Sequence, residues 1–278
     1  MIWIAGSVLI WLAAWRLNVV LSHSTVPQRG FLVPVIFGIA VLILWQGTVW
    51  GAEVSRVILP APSEIGAAIV GNLPLLWADF VQTVLKGAVS GFVIGCSAGF
   101  AAAVIMDRSA FLQAGFMPVA KFVSAMPIVG IAPIMVMWFG FGWQSKAAVI
   151  VVMVFFPVLV NTVAGLAAAD RMQRDLMATF SASYAQTLIK LRLPAAMPFV
   201  FNGLKIATTL ALIGAIVAEF FGSPTVGMGF RITAEVGRLG LDMVWAEIAV
   251  AALAGSAFYG LVAFVEARVT FWHPSQRT

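Results

Sequence analysis

Few side chains in this 278-residue chain have the type and spacing that catalysis or metal binding requires. The two histidines, His23 and His273, lie far apart in the sequence, and Cys96 is the single cysteine. We therefore expect neither a histidine-based metal site nor an internal disulfide. The sequence has no Gly-x-x-x-x-Gly-Lys-Ser/Thr loop for nucleotide phosphates and no His-Glu-x-x-His pair for zinc. These absences predict a chain that is not an enzyme and holds no cofactor of its own.

Ionisable side chains within apolar runs are the remaining candidates, because carriers driven by ion gradients place such groups at mid-membrane. Three residues qualify: Lys86, Lys205 and Glu219. We interpret the lysines as side chains that reach the membrane surface or pair locally. We interpret Glu219 as a structural contact at the mouth of a pathway, with substrate binding as the alternative. If the chain transports a substrate, another protein is expected to supply the energy.

The composition indicates that the elements carrying these residues are membrane helices. Hydrophobic residues make up 62% of the chain, charged residues 10%, and the mean hydropathy is +1.03. Because an ordinary soluble domain is about 25% charged, this composition excludes a soluble enzyme, a disordered chain and a secreted disulfide scaffold. The net charge of +5 reflects membrane topology rather than nucleic-acid binding, since the basic residues are scattered between apolar runs.

The apolar runs predict an all-α polytopic membrane protein with about seven transmembrane helices, because a spanning helix needs about 20 apolar residues. The predicted spans cover residues 2–21, 31–50, 80–105, 122–139, 147–163, 198–221 and 243–265. Pro127 and Pro133 interrupt the fourth span, which predicts either a packed kink or a bend that lines a substrate pathway. A short surface helix is predicted at residues 65–76, after a helix start at residues 60–64.

Glycines in the third predicted span recur at every fourth position and therefore share one helix face. They are Gly87, Gly91, Gly95 and Gly99. Because such a face lets another helix backbone approach closely, we interpret it as a packing surface, with a functional hinge as the alternative.

The basic residues predict the orientation in the membrane, since Lys and Arg accumulate on the cytoplasmic side. The first run is interpreted as a span rather than a signal peptide, because no positive charge precedes it and Arg16 lies near its far end. Arg16, His23 and Arg29 then face the cytoplasm, as does the C-terminal tail, residues 266–278. The loop after the fifth span is also cytoplasmic and holds the densest basic cluster: Arg171, Arg174, Lys190 and Arg192.

This cytoplasmic loop is predicted to contain a helix of about four turns over residues 175–190, ended by Pro194. Pro198 is then expected to open the sixth span. Apolar residues at steps of four form a stripe along the predicted helix: Leu176, Phe180, Tyr184 and Leu188. Such a stripe is typical of a helix that docks in a groove of a partner, and it also serves packing within a chain.

The loop resembles the coupling motif of binding-protein-dependent ABC importer permeases, which is Glu-Ala-Ala, three residues, Gly, nine residues, Ile-x-Leu-Pro. Leu191, Leu193 and Pro194 align with its end, Arg192 stands at x, and Ser181 stands at the glycine position. The Glu-Ala-Ala positions hold Asp175, Leu176 and Met177. Other stretches resemble nitrate/taurine/sulfonate-type permeases, namely residues 59–63, 131–133, 138–142, 155–162 and 214–229.

The resemblance implies a type I ABC importer permease core, residues 31–265 with a coupling segment at 167–194. An extra N-terminal span at residues 1–30 and the tail at 266–278 flank this core. In such importers two permease subunits, expected here as a homodimer, form the path across the inner (plasma) membrane. Two cytoplasmic ATPase subunits bind ATP and Mg, and an extracytoplasmic binding protein delivers the substrate.

The resemblance also implies which residues contact the ATPase, and the broken and polar stretches of the fourth and sixth spans predict which line the pathway. The ATPase-coupling residues are Asp175, Leu176, Phe180, Ser181, Tyr184, Leu191, Leu193 and Pro194. The pathway residues are Met126, Met135, Phe139, Thr209, Ile213, Ile216 and Glu219.

The substrate is expected to be a small polar molecule. Residues 217–223 look closer to permeases for pyrimidine- or riboflavin-type heterocycles, with nitrate, taurine or an alkanesulfonate as alternatives. Two other classes of protein are alternatives to an importer subunit. A secondary carrier would need inverted repeats and midplane ionisable groups, and a membrane-embedded enzyme would need a catalytic constellation. Copurification with an ATPase subunit distinguishes an importer subunit from both.

Overall fold

The computed structural model of the protein describes residues 1–24, 28–222 and 225–272, and all the regular elements in these ranges are helices. The part of the predicted tail from His273 onward, including Arg277, lies outside the described residues, as does Ser223. The helices are α1 (Ile2–Ser22), α2 (Arg29–Gly51), α3 (Pro62–Gly71), α4 (Leu73–Met106), α5 (Ala110–Ser124), α6 (Ile128–Phe139), α7 (Trp143–Ala167), α8 (Arg171–Thr179), α9 (Tyr184–Phe221), α10 (Met228–Gly237) and α11 (Leu241–Val269).

Six of these helices are long and apolar enough to cross a membrane: α1, α2, α4, α7, α9 and α11. A seventh span is present if the bent pair α5 and α6 is counted as one. The prediction of an all-α polytopic membrane protein is confirmed. The first, second, fifth and seventh predicted spans agree with α1, α2, α7 and α11 to within four residues at each end.

The short surface helix predicted at residues 65–76 is only partly correct. Helix α3 does begin at Pro62, where the Glu64 carboxylate accepts the backbone N–H of Ala61 at 3.0 Å. It ends at Gly71, and the next helix already starts at Leu73. Pro74 therefore opens the long helix α4 instead of interrupting a short one, because a proline in the first turn has no hydrogen bond to lose.

The fourth predicted span is two helices rather than one interrupted helix. Helices α5 and α6 meet at an angle of 97°, and Pro127 stands immediately before the first residue of α6. Pro133 lies inside α6 without ending it. The expectation that both prolines break the span is therefore wrong, because only Pro127 coincides with the break.

The helix predicted at residues 175–190 is also wrong. Helix α8 covers Arg171–Thr179, and a separate helix, α9, begins at Tyr184 and continues to Phe221. Pro194 does not end the coupling helix, and Pro198 does not open a new span. The helix passes through Pro194 directly after a π-helical stretch, Leu188–Arg192, where the backbone hydrogen-bonding register already changes.

The chain divides into two compact units, residues 1–76 with 232–249 and residues 77–231 with 250–278. In the first unit α1 and α2 pack as a hairpin, with Gly47 against Ser7 and Gly51 against Ile4.

The second unit is built around α4, α7 and α9, which share a core of buried apolar side chains. The predicted glycine face of α4 packs on α7, as expected. A Cβ atom at Gly91 would lie 2.6 Å from the Cβ of Ile150, and one at Gly99 would lie 2.5 Å from the carbonyl oxygen of Phe155. Gly95 meets Val154 in the same way, whereas Gly87 makes only ordinary contacts. Close helix packing therefore explains three of the four glycines.

Candidate functional site

Two polar clusters occupy opposite ends of the helices α4, α7 and α9. We name the first the Glu219 cluster, and its members are Asp79, Thr83, Lys146, Glu219 and Arg231. We name the second the Asp107 cluster, and its members are Asp107, Arg108, Tyr184 and Arg192.

Glu219 is buried, with 2% of the residue exposed, and its carboxylate holds the start of α10. The hydroxyl of Thr83 donates to both carboxylate oxygens at 2.9 Å and accepts the N–H of Met228 at 2.8 Å. The N–H of Gly229 donates to the same carboxylate at 2.8 Å. These bonds satisfy backbone donors at the N-terminus of a helix, where a negative charge is also favoured.

Asp79 supports the same helix start from α4. Its carboxylate accepts the N–H of Gly227 at 2.6 Å and the Nε of Arg231 at 2.9 Å. Gly227 has a φ of 133°, a conformation that side chains rarely adopt, so a glycine is needed here.

Two cations balance the two carboxylates of the Glu219 cluster. Arg231 pairs with Asp79, and Lys146 interacts electrostatically with Glu219 while donating to the carbonyl oxygens of Phe141 and Gly222. A buried charge needs compensating partners: Asp79 and Arg231 form an ion pair, whereas Lys146 and Glu219 are each held by hydrogen bonds to other groups. Glu219 therefore makes the structural contact that the sequence suggested, and its role in lining a pathway stays a prediction.

The two lysines singled out in the sequence behave differently from each other. Lys205 of α9 pairs with Glu266 of α11 at 2.7 Å, which confirms local pairing. Lys86 is exposed, and its interpretation as a side chain that reaches the membrane surface stays a prediction.

The Asp107 cluster joins the end of α4 to the beginning of α9. Arg192 binds Asp107 through both of its terminal nitrogens, at 2.6 and 2.7 Å, and its Nε donates to the carbonyl oxygen of Leu166 at 3.0 Å. The hydroxyl of Tyr184 donates to the same carboxylate at 2.7 Å. The guanidinium of Arg108 lies over the Tyr184 ring, 4.9 Å from its centre.

The two clusters fix the course of the chain across the membrane. From Asp79 to Asp107, helix α4 rises about 42 Å, which matches a bilayer with its headgroups, about 40–45 Å. Helix α7 also starts at the Glu219 cluster, with Lys146, and ends at the Asp107 cluster, with Leu166. The chain must therefore return across the membrane between α4 and α7, so the bent pair α5–α6 is one broken span.

Helix α8 follows α7 and none of its residues is buried. Its N-terminus is capped by Asp170, which accepts the N–H of Met172 at 3.4 Å, so Asp175 does not start the helix as predicted. Asp175 lies in the second turn, 4.0 Å from Arg171. Three apolar side chains at steps of four project from α8 and its C-cap: Met172 is 74% exposed, Leu176 56% and Phe180 75%.

Ser181 occupies the turn that ends α8. Its φ is 53°, in the left-handed region. The N–H of Ala182 donates to the carbonyl of Met177 at 3.0 Å, and the N–H of Ser181 to that of Ala178 at 2.9 Å. This is the Schellman pattern, in which the left-handed residue is usually glycine. The glycine of the coupling motif therefore falls on a position whose backbone conformation favours glycine.

A capping box then starts α9. The hydroxyl of Ser183 accepts the N–H of Gln186 at 3.3 Å, and the side chain of Gln186 accepts the N–H of Ser183 at 2.8 Å. The Ser-x-x-Gln spacing is a recognised sign of a helix start. Together with the glycine position of the motif, it could have revealed the break between α8 and α9.

The remaining predicted coupling residues belong to α9 rather than to the coupling helix. Leu193 packs on the chain's own core, with Leu166, Leu188 and Ala196. Pro194 and Leu191 are partly buried beside it. The stripe of four predicted on one helix is thus divided, because Tyr184 and Leu188 follow the turn at Ser181.

The predicted pathway residues divide into exposed and packed ones. Met126 and Phe139, beside and on α6, are 44% and 53% exposed, and Ile213 of α9 is 45% exposed. Thr209 is exposed next to it on α9. Two residues pack inward instead, Met135 on a core around Val149 and Ala218, and Ile216 on a core around Val84 and Met228.

Residues 95–99 read Gly-Cys-Ser-Ala-Gly and match the Gly-x-Ser-x-Gly pattern of serine hydrolases. That pattern needs a sharp turn from a strand into a helix to expose the serine. Here all five residues lie inside α4, and both glycines pack on α7. The match therefore reflects helix packing. Within the described ranges, no group of three or more His, Cys, Asp and Glu side chains could hold a metal ion.

Comparison with known proteins identifies the class of the chain. The family of binding-protein-dependent transport system inner membrane components matches residues 91–271, and this chain belongs to that family. Members are the non-catalytic permease subunits of ABC transporters. They work in general with ATPase subunits and with substrate-binding proteins. The match and the apolar helices make the chain a multi-pass inner-membrane permease.

Named relatives cover most of the chain. A probable ABC transporter permease protein of Haemophilus influenzae is 31% identical over 217 residues, which are 78% of this chain and 88% of that protein. The riboflavin transport system permease protein of Chloroflexus aurantiacus is 28% identical, over 84% of this chain and 87% of its own length. The formylaminopyrimidine transport permease protein of Halalkalibacterium halodurans is 26% identical, over 88% of this chain and 97% of its own length. Other relatives are named for aliphatic sulfonates, taurine and bicarbonate.

Proposed function

We propose that this permease couples to its ATPase through helix α8 and the turn that follows it. The observation that carries the proposal is the apolar stripe of Met172, Leu176 and Phe180, which is more than half exposed on a helix without a buried residue. An exposed apolar stripe at helical spacing suits a groove in a partner protein. The partner is the ATP- and Mg-binding subunit of the importer, since the chain has no phosphate-binding loop of its own.

The test is copurification of the ATPase subunit of the same importer with tagged permease. Leu176→Gln should reduce the ATPase recovered, because it removes apolar area from the docking stripe. Ala178→Gln is the matched control, since Ala178 is exposed on the opposite side of the same helix, and it should leave recovery unchanged. Equal recovery with both variants would reject α8 as the docking element.

We further propose that two copies of the chain form the translocation pathway, with the Asp107 cluster at the cytoplasmic face. The basic residues of α8 and of the beginning of α9 support this orientation. The exposed side of α9, with Thr209 and Ile213, and the exposed residues of the α5–α6 break supply surfaces that a second copy would enclose. Glu219 lies near the opposite end of α9, buried in its own cluster, and we propose that this cluster borders the opposite mouth.

Cysteines at Met126, Phe139, Thr209 and Ile213 test this arrangement in a Cys96→Ala background. Positions in the pathway should react with a water-soluble thiol reagent in at least one nucleotide state of the reconstituted complex. A cysteine at Phe264, an exposed residue of α11, is the control and should stay unreactive in lipid. Absence of reaction at all four positions in both states would reject the assignment.

For the substrate we propose a small polar heterocycle of the pyrimidine or riboflavin type. The support is the similarity to permeases named for riboflavin and formylaminopyrimidine. The sulfonate- and taurine-named relatives define the alternative. Riboflavin, a formylaminopyrimidine and taurine should be compared as stimulators of ATP hydrolysis by the complex with its binding protein. Stimulation by taurine alone would overturn the heterocycle proposal.

A further inference from the structure

The contacts of Arg192 link the segment that carries α8 to the membrane core. Helix α8 itself has no buried side chain. The turn after it is closed on one side by the Schellman bonds of Ser181 and Ala182, and on the other by the Ser183 capping box. Because hydrogen bonds hold this turn on both sides, a displacement of α8 should also move the first turns of α9.

The first turns of α9 are joined to two other helices by apolar packing around Leu166 and Leu188 and by one guanidinium. Arg192 donates twice to Asp107 at the end of α4 and once to the carbonyl of Leu166 at the end of α7. Tyr184, two turns earlier, donates to the same carboxylate. Four hydrogen bonds thus join three helix ends at one point.

These contacts are stronger than an ordinary surface ion pair. The side chains of Arg192 and Asp107 are only 15% and 12% exposed, so water screens them weakly. A two-pronged guanidinium–carboxylate pair also fixes orientation, which a lysine cannot do. The coupling motif leaves the position of Arg192 open, so the motif itself does not account for this arginine.

We propose that the Asp107–Arg192 pair, with Tyr184, is a positioning device that transmits the movement of α8 to α4 and α7 as well as α9. Without the pair, the ATPase still docks on α8 and hydrolyses ATP. The helices α4 and α7 no longer follow, and the pathway does not change state. This inference rests on the proposed coupling role of α8 and on the proposed place of Ile213 in the pathway.

The experiment follows the conformation of the pathway without a substrate. The reporter is Ile213→Cys in a Cys96→Ala background, in the reconstituted complex with its ATPase subunits. The measured quantity is the labelling rate of this thiol in the presence of Mg-ATP and vanadate, divided by its labelling rate in the absence of nucleotide. ATPase content and basal hydrolysis are measured on the same preparations. We expect a ratio clearly different from one in the otherwise unchanged complex.

Two single variants break the Asp107–Arg192 pair, and one double variant rebuilds it with the charges exchanged. Asp107→Asn removes the charge, and Arg192→Lys keeps the charge but loses the two-pronged geometry. Both should bring the labelling ratio close to one while the ATPase content and basal hydrolysis persist. Exchanging the two charges, with Asp107→Arg and Arg192→Asp together, should restore part of the ratio because it rebuilds an ion pair between α4 and α9.

Glu266→Gln is the matched control. It breaks the Lys205–Glu266 pair, which also joins α9 to a neighbouring helix and is comparably buried, at 22% and 10% exposed. This variant should keep the full labelling ratio. An unchanged ratio in Asp107→Asn and Arg192→Lys would overturn the inference alone. Loss of the ATPase subunits from both variants would also overturn it, since the pair would then serve docking. A complex whose Ile213 cysteine shows no nucleotide response without these substitutions would instead reject one of the two premises. It would reject the place of Ile213 in the pathway if the cysteines at Met126, Phe139 and Thr209 respond, and the proposed coupling function if none of them does.

Discussion

The backbone conformation of Ser181 offers a second explanation for the glycine of the coupling motif. By its resemblance to the coupling motif, this residue was expected to lie where the ATPase approaches closely. Its φ of 53° gives a second reason for the glycine of the motif, because a side chain in the left-handed region costs free energy whether or not a partner is present. Any bulky substitution at Ser181 therefore tests two effects at once, and an experiment has to separate them.

We predict that Ser181→Trp abolishes stimulated ATP hydrolysis of the reconstituted complex, whereas Ser181→Ala retains most of it. Both substitutions keep a Cβ in the left-handed conformation, at a cost of about 1 kcal/mol, and only tryptophan adds bulk toward the ATPase. Membrane insertion and dimerisation are checked in parallel and should be preserved. Equal loss in the two variants would mean that the turn, and not steric contact with the ATPase, accounts for the motif.

Thr83 is a residue that sequence reasoning missed, because a threonine within an apolar run carries no signal of its partners. Its hydroxyl links Glu219 to the N–H of Met228. We predict that Thr83→Val lowers the free energy of unfolding by about 1–3 kcal/mol, because a buried N–H and a carboxylate lose a partner. The measurement is thermal unfolding of the purified permease in detergent.

Thr209→Val is the control for this prediction, since it makes the same change of shape on the exposed side of α9. It should alter stability by no more than about 0.5 kcal/mol. A Thr83 variant as stable as the control would contradict the assigned role of the hydroxyl.

At the scale of the elements, apolar runs predicted most spans well because hydrophobic length alone determines them. The glycine face of α4 was also predictable, because a spacing of four is a property of the sequence. The ends of α8 and α9 were not. The sequence predicts a helix end at Pro194, yet the helix continues through this residue after the π-helical stretch Leu188–Arg192. The Asp107 and Glu219 clusters were beyond reach for another reason: the hydrogen bonds between their side chains join residues that are 77 to 152 positions apart in the sequence.

We predict that Gly95→Leu destabilises the permease by about 1–3 kcal/mol, because a side chain would force α4 and α7 apart. Gly260→Leu is the matched control. It also lies within a membrane helix, but nothing stands within 4 Å of a Cβ at that position. Both changes improve helix propensity equally, so the difference in unfolding temperature reports the helix contact. Equal stability would contradict the close packing of α4 on α7.

At the scale of the whole molecule, the family match identifies the protein as a permease subunit, and the distribution of basic residues predicts its orientation in the membrane. The family match begins within α4, so the sidedness of the α1–α2 hairpin rests on its basic residues alone. Arg16, His23 and Arg29 predict that the α1–α2 connection is cytoplasmic.

We predict that a cysteine at Ser24 reacts with a membrane-impermeant reagent only from the cytoplasmic side, and that one at Ser55, after α2, reacts only from the outside. Both are compared in a Cys96→Ala background, in intact cells and in inverted vesicles. Labelling of Ser24→Cys in intact cells would reverse the assigned orientation of the hairpin.

The unbroken helix α9 has a mechanical consequence. It runs without interruption from Tyr184 to Phe221, and the Asp107 cluster holds it near one end, at Arg192. Beyond Arg192 this helix has 29 residues, which rise about 43 Å at about 1.5 Å each. If α8 docks on the ATPase as proposed, a tilt of about 5° at the Asp107 cluster would shift the far end of α9 by about 4 Å. Because Arg192 also binds the ends of α4 and α7, the three helices would tilt together toward the opposite face of the membrane.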